Sequence, residues 1–194
     1  TPLHVEFRAL PLTDALATPG TLAVFGFGDR AAPRHDDPRY LHVALPSHGC
    51  AALECWQVAT EVVHGRAGDI AWAQGGGLQF GALEVTDTGD IETAAAQAYA
   101  RLHDWLSTCA YPHPLRIWNY LDAITFGTGD AERYRRFCVG RARGIGRALA
   151  PGDLPAATAI GHPAPSGRFQ LYWLAGQHAG TALENPRQVQ AWRY

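Results

Sequence analysis

The 194-residue sequence contains no lysine and no methionine, so that all of its 16 basic residues are arginine. These arginines are outnumbered by 18 acidic residues, and the formal net charge is -2. Nucleic acids and anionic membrane surfaces are bound through clustered positive charge. The composition therefore predicts neither a nucleic-acid partner nor a membrane partner.

Long apolar runs are also missing. No segment approaches the roughly 20 consecutive apolar residues of a transmembrane helix. The first ten residues, TPLHVEFRAL, lack the charged and apolar regions that characterise a signal peptide. We therefore expect a cytoplasmic protein.

Cysteine and serine are scarce. The four cysteines are Cys50, Cys55, Cys109 and Cys138. Their irregular spacing disfavours a disulfide framework, and we expect reduced thiols. Cys138 falls on the apolar face of a predicted helix, where burial favours the inert thiol. None of the three serines lies in a G-x-S-x-G pattern, so the sequence gives no support to a serine hydrolase.

Two short patterns suggest a cofactor or a metal, but their context disagrees. Gly26, Gly28 and Ala31 match the dinucleotide pattern G-x-G-x-x-A, which works only where a helix follows at once. Prolines and aspartates within 33–38 disfavour that helix, and a glycine turn is the preferred interpretation. Possible zinc ligands are His42, His48, Cys50 and Cys55. Their spacing matches no zinc knuckle, so we predict no metal site.

The sequence does contain a regular succession of strands and helices. Strands are predicted within 5–10, 21–27, 41–46, 55–65, 70–85, 115–124, 158–163 and 169–176. Asp90 can cap a helix over 91–108, in which apolar residues recur at helical spacing. A second helix is predicted over 130–149. We therefore predict an α+β fold, with a mixed sheet over 41–178 that carries both helices on one face.

Side chains of the strand predicted over 115–124 alternate between two faces. Trp118 and Tyr120 lie on one face, whereas Ile117, Asn119 and Leu121 lie on the other. We expect one set to face the helices and the other set to face the opposite surface of the sheet.

Three long stretches carry a family resemblance. They are RIWNYLDAI at 116–124, ERYRRFCVGRA at 132–142 and ENPRQVQAWRY at 184–194. Together they resemble the chorismatases, the hydroxybenzoate synthases and chorismate hydrolases that are also described as pteridine-dependent dioxygenase-like. The resemblance covers most of residues 115–194. It implies a RidA/YjgF-like fold, of the chorismate mutase-like trimer type, with the order strands, helix, strand, helix, strands.

The resemblance also implies a reaction. Chorismatases remove the enolpyruvyl group of chorismate as pyruvate, which leaves a 3- or 4-hydroxybenzoate or a dihydroxycyclohexadiene carboxylate. A general acid must protonate the methylene carbon of the enol ether, and arginines suit the two carboxylates of the substrate. No metal or organic cofactor is implied.

In the family, the acid and much of the carboxylate clamp lie in a second, C-terminal domain. We therefore expect this chain to be the N-terminal part of such an enzyme and to be inactive alone, with its catalytic residue unknown. The predicted division is 1–40 as N-terminal strands and loop, 41–178 as the RidA-like domain, and 179–194 as the junction to the missing domain.

The junction contains the residues that the resemblance places near the substrate. Arg187 and Gln188 could contact a carboxylate or hydroxyl, and Trp192 and Tyr194 could form a wall of the site. Family members often have tyrosine where this chain has Trp192. Equally, the segment could pack one domain against the other, since arginine and aromatic residues are common interface anchors.

A second interpretation treats the chain as a noncatalytic RidA-like module. Such a module would support a catalytic domain or bind a small carboxylate metabolite, and the fold alone does not separate these roles. If the chain did contain the acid, the candidates would be Glu54, Glu61, Glu84 and Glu184.

Overall fold

A computed structural model describes residues 3–28, 31, 34–46, 52–146, 154–162, 167–181, 183, 185 and 187–189. Within these residues the strands are β1 (His4–Arg8), β2 (Thr21–Phe27), β3 (Tyr40–Val43), β4 (Leu53–Gln57), β5 (Val63–Ala67), β6 (Ile70–Gly75), β7 (Leu78–Thr86), β8 (His113–Asp122), β9 (Ala156–His162) and β10 (Arg168–Gly176). The α-helices are α1 (Leu12–Ala17), α2 (Ile91–Thr108) and α3 (Arg133–Ile145), and a 3₁₀ turn, Gly129–Ala131, precedes α3.

The strands form two sheets. The larger sheet has the order β5-β6-β7-β10-β8-β9, and the smaller has the order β1-β4-β2-β3. Only β8–β9 and β2–β3 are parallel among these pairs of neighbours. Helices α2 and α3 cover one face of the six-stranded sheet, and the four-stranded sheet covers the other face. The described residues therefore form three layers.

Helix α2 has the predicted bounds. The backbone N–H of Thr93 donates to Oδ1 of the N-cap residue Asp90 at 3.3 Å, and the Thr93 hydroxyl donates to Oδ2 at 2.6 Å. Its buried side chains follow the predicted helical spacing. The helix is confirmed because both of its signals, the cap and the apolar spacing, are local in the sequence.

Helix α3 is shorter at its start than predicted, because the 3₁₀ turn occupies 129–131. It packs closely on α2 through glycine. A Cβ atom at Gly140 would lie 2.1 Å from the carbonyl oxygen of Glu92, and one at Gly144 would lie 2.5 Å from that of Ala96. Both helices therefore lie together on one face of the six-stranded sheet, as predicted.

Strand β8 confirms the predicted alternation. Ile117 and Leu121 belong to the apolar layer under the helices. Trp118 and Tyr120 belong to the layer between the two sheets. The α+β class is confirmed, and so is the predicted order of strands, helix, strand, helix and strands, which runs from β5 to β10.

The prediction of one sheet over 41–178 is wrong for its first two strands. Strand β3 pairs with β2, and β4 lies between β1 and β2. Alternation within a strand shows which residues share a face, but not which sheet the strand joins. Helix α1 was not predicted, and a turn divides the strand predicted at 55–65 into β4 and β5. The division into 1–40, 41–178 and 179–194 as domains stays a prediction.

None of the helices in the described part of the chain is both long enough and apolar enough to cross a membrane.

Candidate functional site

The predicted substrate rim is described only at its beginning. The side chain of Asn185 accepts a hydrogen bond from the backbone N–H of Arg187 at 3.0 Å. The Asn185 carbonyl oxygen accepts from the N–H of Gln188 at 3.1 Å, which forms a turn. The Arg187 and Gln188 side chains are exposed. Trp192 and Tyr194 lie outside the described residues, so the role of all four as a rim stays a prediction.

The four candidate acids lie in different surroundings. Glu61 is exposed. Glu84 accepts hydrogen bonds from Gln170 at 2.6 Å and from Arg168 at 3.3 Å. Glu184 lies outside the described residues. Glu54 is half-buried on β4, where burial raises the pKa of its carboxyl and a hydrogen bond from the Trp56 indole at 2.7 Å acts in the opposite direction. Glu54 therefore has the property that a general acid needs.

Glu54 borders a set of aromatic rings that we call the inter-sheet aromatic layer. It consists of Phe25, Trp56, Phe80, Trp118, Tyr120 and Tyr172. Tyr172 stacks on two neighbouring rings, with its ring centroid 4.9 Å from that of Trp118 and 5.8 Å from that of Tyr120. The two tyrosine hydroxyls lie 3.4 Å apart. The rings thus bring the two phenols together beside one carboxyl.

These phenols stay protonated near neutral pH. Burial raises the pKa of Tyr120, and the nearby Glu54 charge acts in the same direction. Burial and the neighbouring Tyr120 hold the pKa of Tyr172 far above its ordinary value. At the edge of the layer, the Arg116 guanidinium lies 5.1 Å from the centroid of Trp118 and donates to the Thr158 hydroxyl at 3.2 Å. Proton donors, a cation and a carboxyl therefore lie near each other.

Packing argues against this layer as a substrate site. Trp56, Tyr120 and Tyr172 are each at most 4% exposed. Their rings occupy the space between the sheets, so that a two-carboxylate substrate cannot reach the phenols without displacing core side chains. The layer is better explained as the packing of one sheet on the other, and it leaves the identity of the acid open.

A second location combines an open cleft with a cation. The cleft has a volume of about 540 Å³ and lies between the end of α1 and the turn after β4, with Arg39 in its wall. Asp37 accepts hydrogen bonds from Arg39 Nε at 3.0 Å and from Nη2 at 2.6 Å. Burial opposes ionisation of Asp37, but the hydrogen bonds and charge of Arg39 lower its pKa overall. Arg39 is thus already neutralised by a carboxylate, which disfavours this cleft for an anionic ligand.

A third polar group is a buried ion cluster at the end of β8. The Arg133 guanidinium forms ion pairs with Asp87 and, at 2.6 Å, with Asp122. Gly89 N–H donates to Asp87 at 3.0 Å, and Gly167 N–H donates to Asp122 at 3.1 Å. The cluster therefore joins the ends of β7 and β8 to the start of α3 and of β10. Its members are 11 to 46 residues apart, so no local sequence signal revealed it.

Two of the four possible zinc ligands, His42 and Cys55, lie among the described residues. His42 Nε2 lies 2.9 Å from the Gly28 carbonyl oxygen, and the Cys55 thiol faces the Leu53 carbonyl at 3.8 Å. His48 and Cys50 are outside the described residues. Among the residues that the structure describes, no three His, Cys, Asp or Glu side chains are grouped to hold a metal.

Comparisons with known proteins point to one family. A family model described as Chorismatase FkbO/Hyg5-like, N-terminal, matches residues 54–175. The chain is 34% identical over 144 residues to a chorismatase from Streptomyces rapamycinicus, an alignment that covers 73% of this chain and 42% of the relative. A 3-hydroxybenzoate synthase from Streptomyces hygroscopicus is 35% identical over 144 residues, with the same two coverages.

A solved structure agrees with these sequence matches. The crystal structure of a chorismatase superposes with a TM-score of 0.76 and 28% sequence identity. The superposition covers 92% of this chain and 55% of the solved chain. The present chain thus spans less than half the length of the curated relatives that it matches.

Proposed function

This chain belongs to the chorismatase FkbO/Hyg5-like family, and we propose that it is the N-terminal part of an enzyme that converts chorismate. In this proposal the enzyme removes the enolpyruvyl group as pyruvate and releases a hydroxybenzoate or a dihydroxycyclohexadiene carboxylate. The observation that carries the proposal is the family match over residues 54–175, together with relatives named chorismatase and 3-hydroxybenzoate synthase.

The polar groups of the described residues support a proposal in which a second domain supplies the general acid and the carboxylate clamp. Arg39 is neutralised by the half-buried Asp37, Arg133 is neutralised by the buried Asp87 and Asp122, and Glu54 borders a packed aromatic layer. Cleavage of the enol ether requires both an accessible acid and cations that face the two substrate carboxylates. We therefore assign the acid and the carboxylate clamp to a second domain outside this sequence. We place the whole enzyme in the cytoplasm.

The exposed turn at the end of the described chain is the part of this domain that we assign to the substrate rim. Arg187 is held by its backbone to Asn185, and the residue is exposed. An exposed arginine on a defined turn can pair with a carboxylate in a fork geometry. Gln188, Trp192 and Tyr194 would complete the rim beside it.

A support role is the second candidate, and a specific observation favours it. Arg39, which lines the cleft, and Arg133, which lies in the ion cluster, are both paired with carboxylates of this domain, so neither is available for a ligand. In this case the domain would stabilise its neighbour, and Arg187 would contribute to the interface between them.

Pyruvate release distinguishes the proposals. The natural full-length protein is incubated with chorismate and compared with the 194-residue chain at equal concentration. We expect pyruvate and an aromatic product from the full-length protein only, because a missing general acid alone costs about 10² to 10⁴ in rate. Pyruvate formation by the purified 194-residue chain would overturn the assignment of the acid to a second domain. Absence of turnover by the full-length protein would overturn the proposal that the enzyme converts chorismate.

Arg187→Ala in the full-length protein then distinguishes a role of Arg187 in the substrate rim from a role in the domain interface. A rim residue should change KM or kcat at least about tenfold while the unfolding transition stays unchanged. Unchanged kinetics with a lower unfolding temperature would instead support the interface role. Arg135→Ala, an exposed arginine on α3, is the matched control.

A further inference from the structure

Helix α3 ends before α2 does, and a cavity lies beyond its end. Gly144 of α3 packs against Ala96 and Tyr99 of α2, so the described part of α3 reaches only the middle of α2. Helix α2 continues from Tyr99 to Thr108, about 14 Å at the rise of an α-helix. Here a cavity of about 160 Å³ separates the last turns of α2 from β8.

The inside of the cavity is apolar. It is lined by Leu102 and Leu106 of α2 and by Ile117 of β8, all of which are buried. Ile145 of α3 also contributes to the wall. Tyr99 reaches the cavity too, but its hydroxyl is already used, since it donates to the Asn119 side chain at 3.0 Å. Among the described residues that line its interior, none therefore offers an unsatisfied polar group that would hold a water molecule.

Two polar side chains stand at the mouth. His103 and Ser107 lie four residues apart on α2, both line the cavity, and both are exposed to solvent. The Ser107 hydroxyl donates its proton to the Asp104 carbonyl oxygen at 2.9 Å, so its lone pairs remain able to accept a hydrogen bond. A neutral imidazole at His103 also has one acceptor nitrogen. The mouth is thus suited to a ligand that donates a hydrogen bond.

Volume limits the ligand to one ring. A dry protein cavity of about 150 Å³ lined by aliphatic side chains binds benzene, whereas sites for drug-sized molecules start near 300 Å³. Chorismate, with its ring, enolpyruvyl group and two carboxylates, is too large and too polar for such a lining. The cavity also lies on the opposite face of the sheet from the inter-sheet aromatic layer.

We propose that this cavity binds a single aromatic ring that carries a hydroxyl group, a phenol. The ring lies against Leu102, Leu106 and Ile117, and the hydroxyl donates to Ser107 or His103 at the mouth. The site is independent of the proposed reaction, because it needs neither the second domain nor a catalytic group.

Binding is tested with phenol and benzene on the 194-residue chain, by calorimetry and by ligand-observed NMR. We expect one phenol per chain with a Kd on the order of 1 mM, a range that a seven-atom ligand can reach. Benzene, which has no donor, should bind about fivefold more weakly. Absence of saturable phenol binding would overturn the site, and equal affinity for benzene would overturn the role of the hydroxyl.

Three variants on exposed positions locate the ligand without disturbing the core. Ser107→Phe places a ring in the mouth and should weaken phenol binding by at least about tenfold. Ser107→Ala combined with His103→Ala removes both acceptors at the mouth and should bring the affinities for phenol and benzene together. Thr108→Phe, an exposed neighbour that does not line the cavity, should bind phenol as the unmodified chain does. Phenol binding that survives Ser107→Phe at full affinity would show that the ring binds elsewhere.

Discussion

The two faces of the six-stranded sheet are packed by different means. Under the helices, the layer consists largely of alanine and aliphatic side chains, such as Ala95, Ala98, Leu121 and Leu171. Between the sheets, five of the twelve buried residues are aromatic, against five of eighteen under the helices, and the rings touch each other across strands far apart in sequence. Small side chains let a helix lie close to the sheet, and large rings fill the space between the two sheets. The same strand can therefore serve two interfaces because its alternating residues differ in size.

The largest expected effect on stability comes from a matched pair of phenylalanines, one in each layer. Phe25 and Phe169 are both fully buried, Phe25 between the sheets and Phe169 under the helices. Each change to alanine should cost about 3–5 kcal/mol of unfolding free energy. Phe25→Ala should be the more costly, because Phe25 lies within 5.6 Å of three other rings and Phe169 contacts one. Chemical denaturation measures both, and a smaller loss for Phe25→Ala would contradict the comparison.

Strand β8 gives the next largest effect, on the helix side of the sheet. Ile117 and Leu121 of β8 are 3% and 0% exposed, and each change to alanine should cost about 2–5 kcal/mol. Leu115→Ala, at a less buried position of the same strand, is the control and should cost less. Losses below about 0.5 kcal/mol for both Ile117→Ala and Leu121→Ala would show that β8 does not support the helix-side layer.

Removal of the cap at the start of α2 should have a smaller effect. Asp90→Ala removes the bonds to Thr93 and the ion pair with Arg136, so we expect a loss of about 0.5–2 kcal/mol in thermal or chemical unfolding. Asp90→Asn retains a capping oxygen and should recover most of this loss. An alanine variant as stable as the original chain would mean that α2 is held by its sheet contacts alone.

The smallest effect concerns the pH dependence of the inter-sheet layer. Burial raises the folded-state pKa of Glu54 above its ordinary 4.5, so the folded chain keeps a proton that the unfolded chain has lost. Stability therefore falls as the pH rises from 4.5 towards that raised pKa. Glu54→Gln, which keeps an acceptor for Trp56, should remove this contribution and be relatively more stable at pH 7 than at pH 4. Unfolding curves at both pH values check the sign, and an identical difference at both would contradict it.

Sequence patterns predicted the helix-side layer better than the inter-sheet layer, for a physical reason. The Asp90 cap and the spacing of Ala94, Ala98 and Leu102 are local signals, and they gave α2 with its observed bounds. The partner of β4 depends instead on how Trp56 packs against Phe25 and Tyr172, which no spacing within one strand encodes. The same difference between local sequence signals and contacts of the folded chain applies to the candidate site. The rim at Arg187 was predicted only through the family resemblance and stays a prediction, and the pairing of Arg133 with Asp87 requires the folded chain.

The position of β10 has a consequence for how the chain acquires its structure during synthesis. Although it is the last strand in sequence among the described residues, β10 lies between β7 and β8 and pairs with both along most of its length. Until residues 168–176 leave the ribosome, β5-β6-β7 and β8-β9 have no shared edge and cannot form one sheet. Both faces of the sheet are then incomplete, with Trp173 missing from one and Tyr172 from the other. At about 5–20 residues per second, several seconds pass between the synthesis of β7 and its pairing, during which its edge is open to chaperones or to other chains.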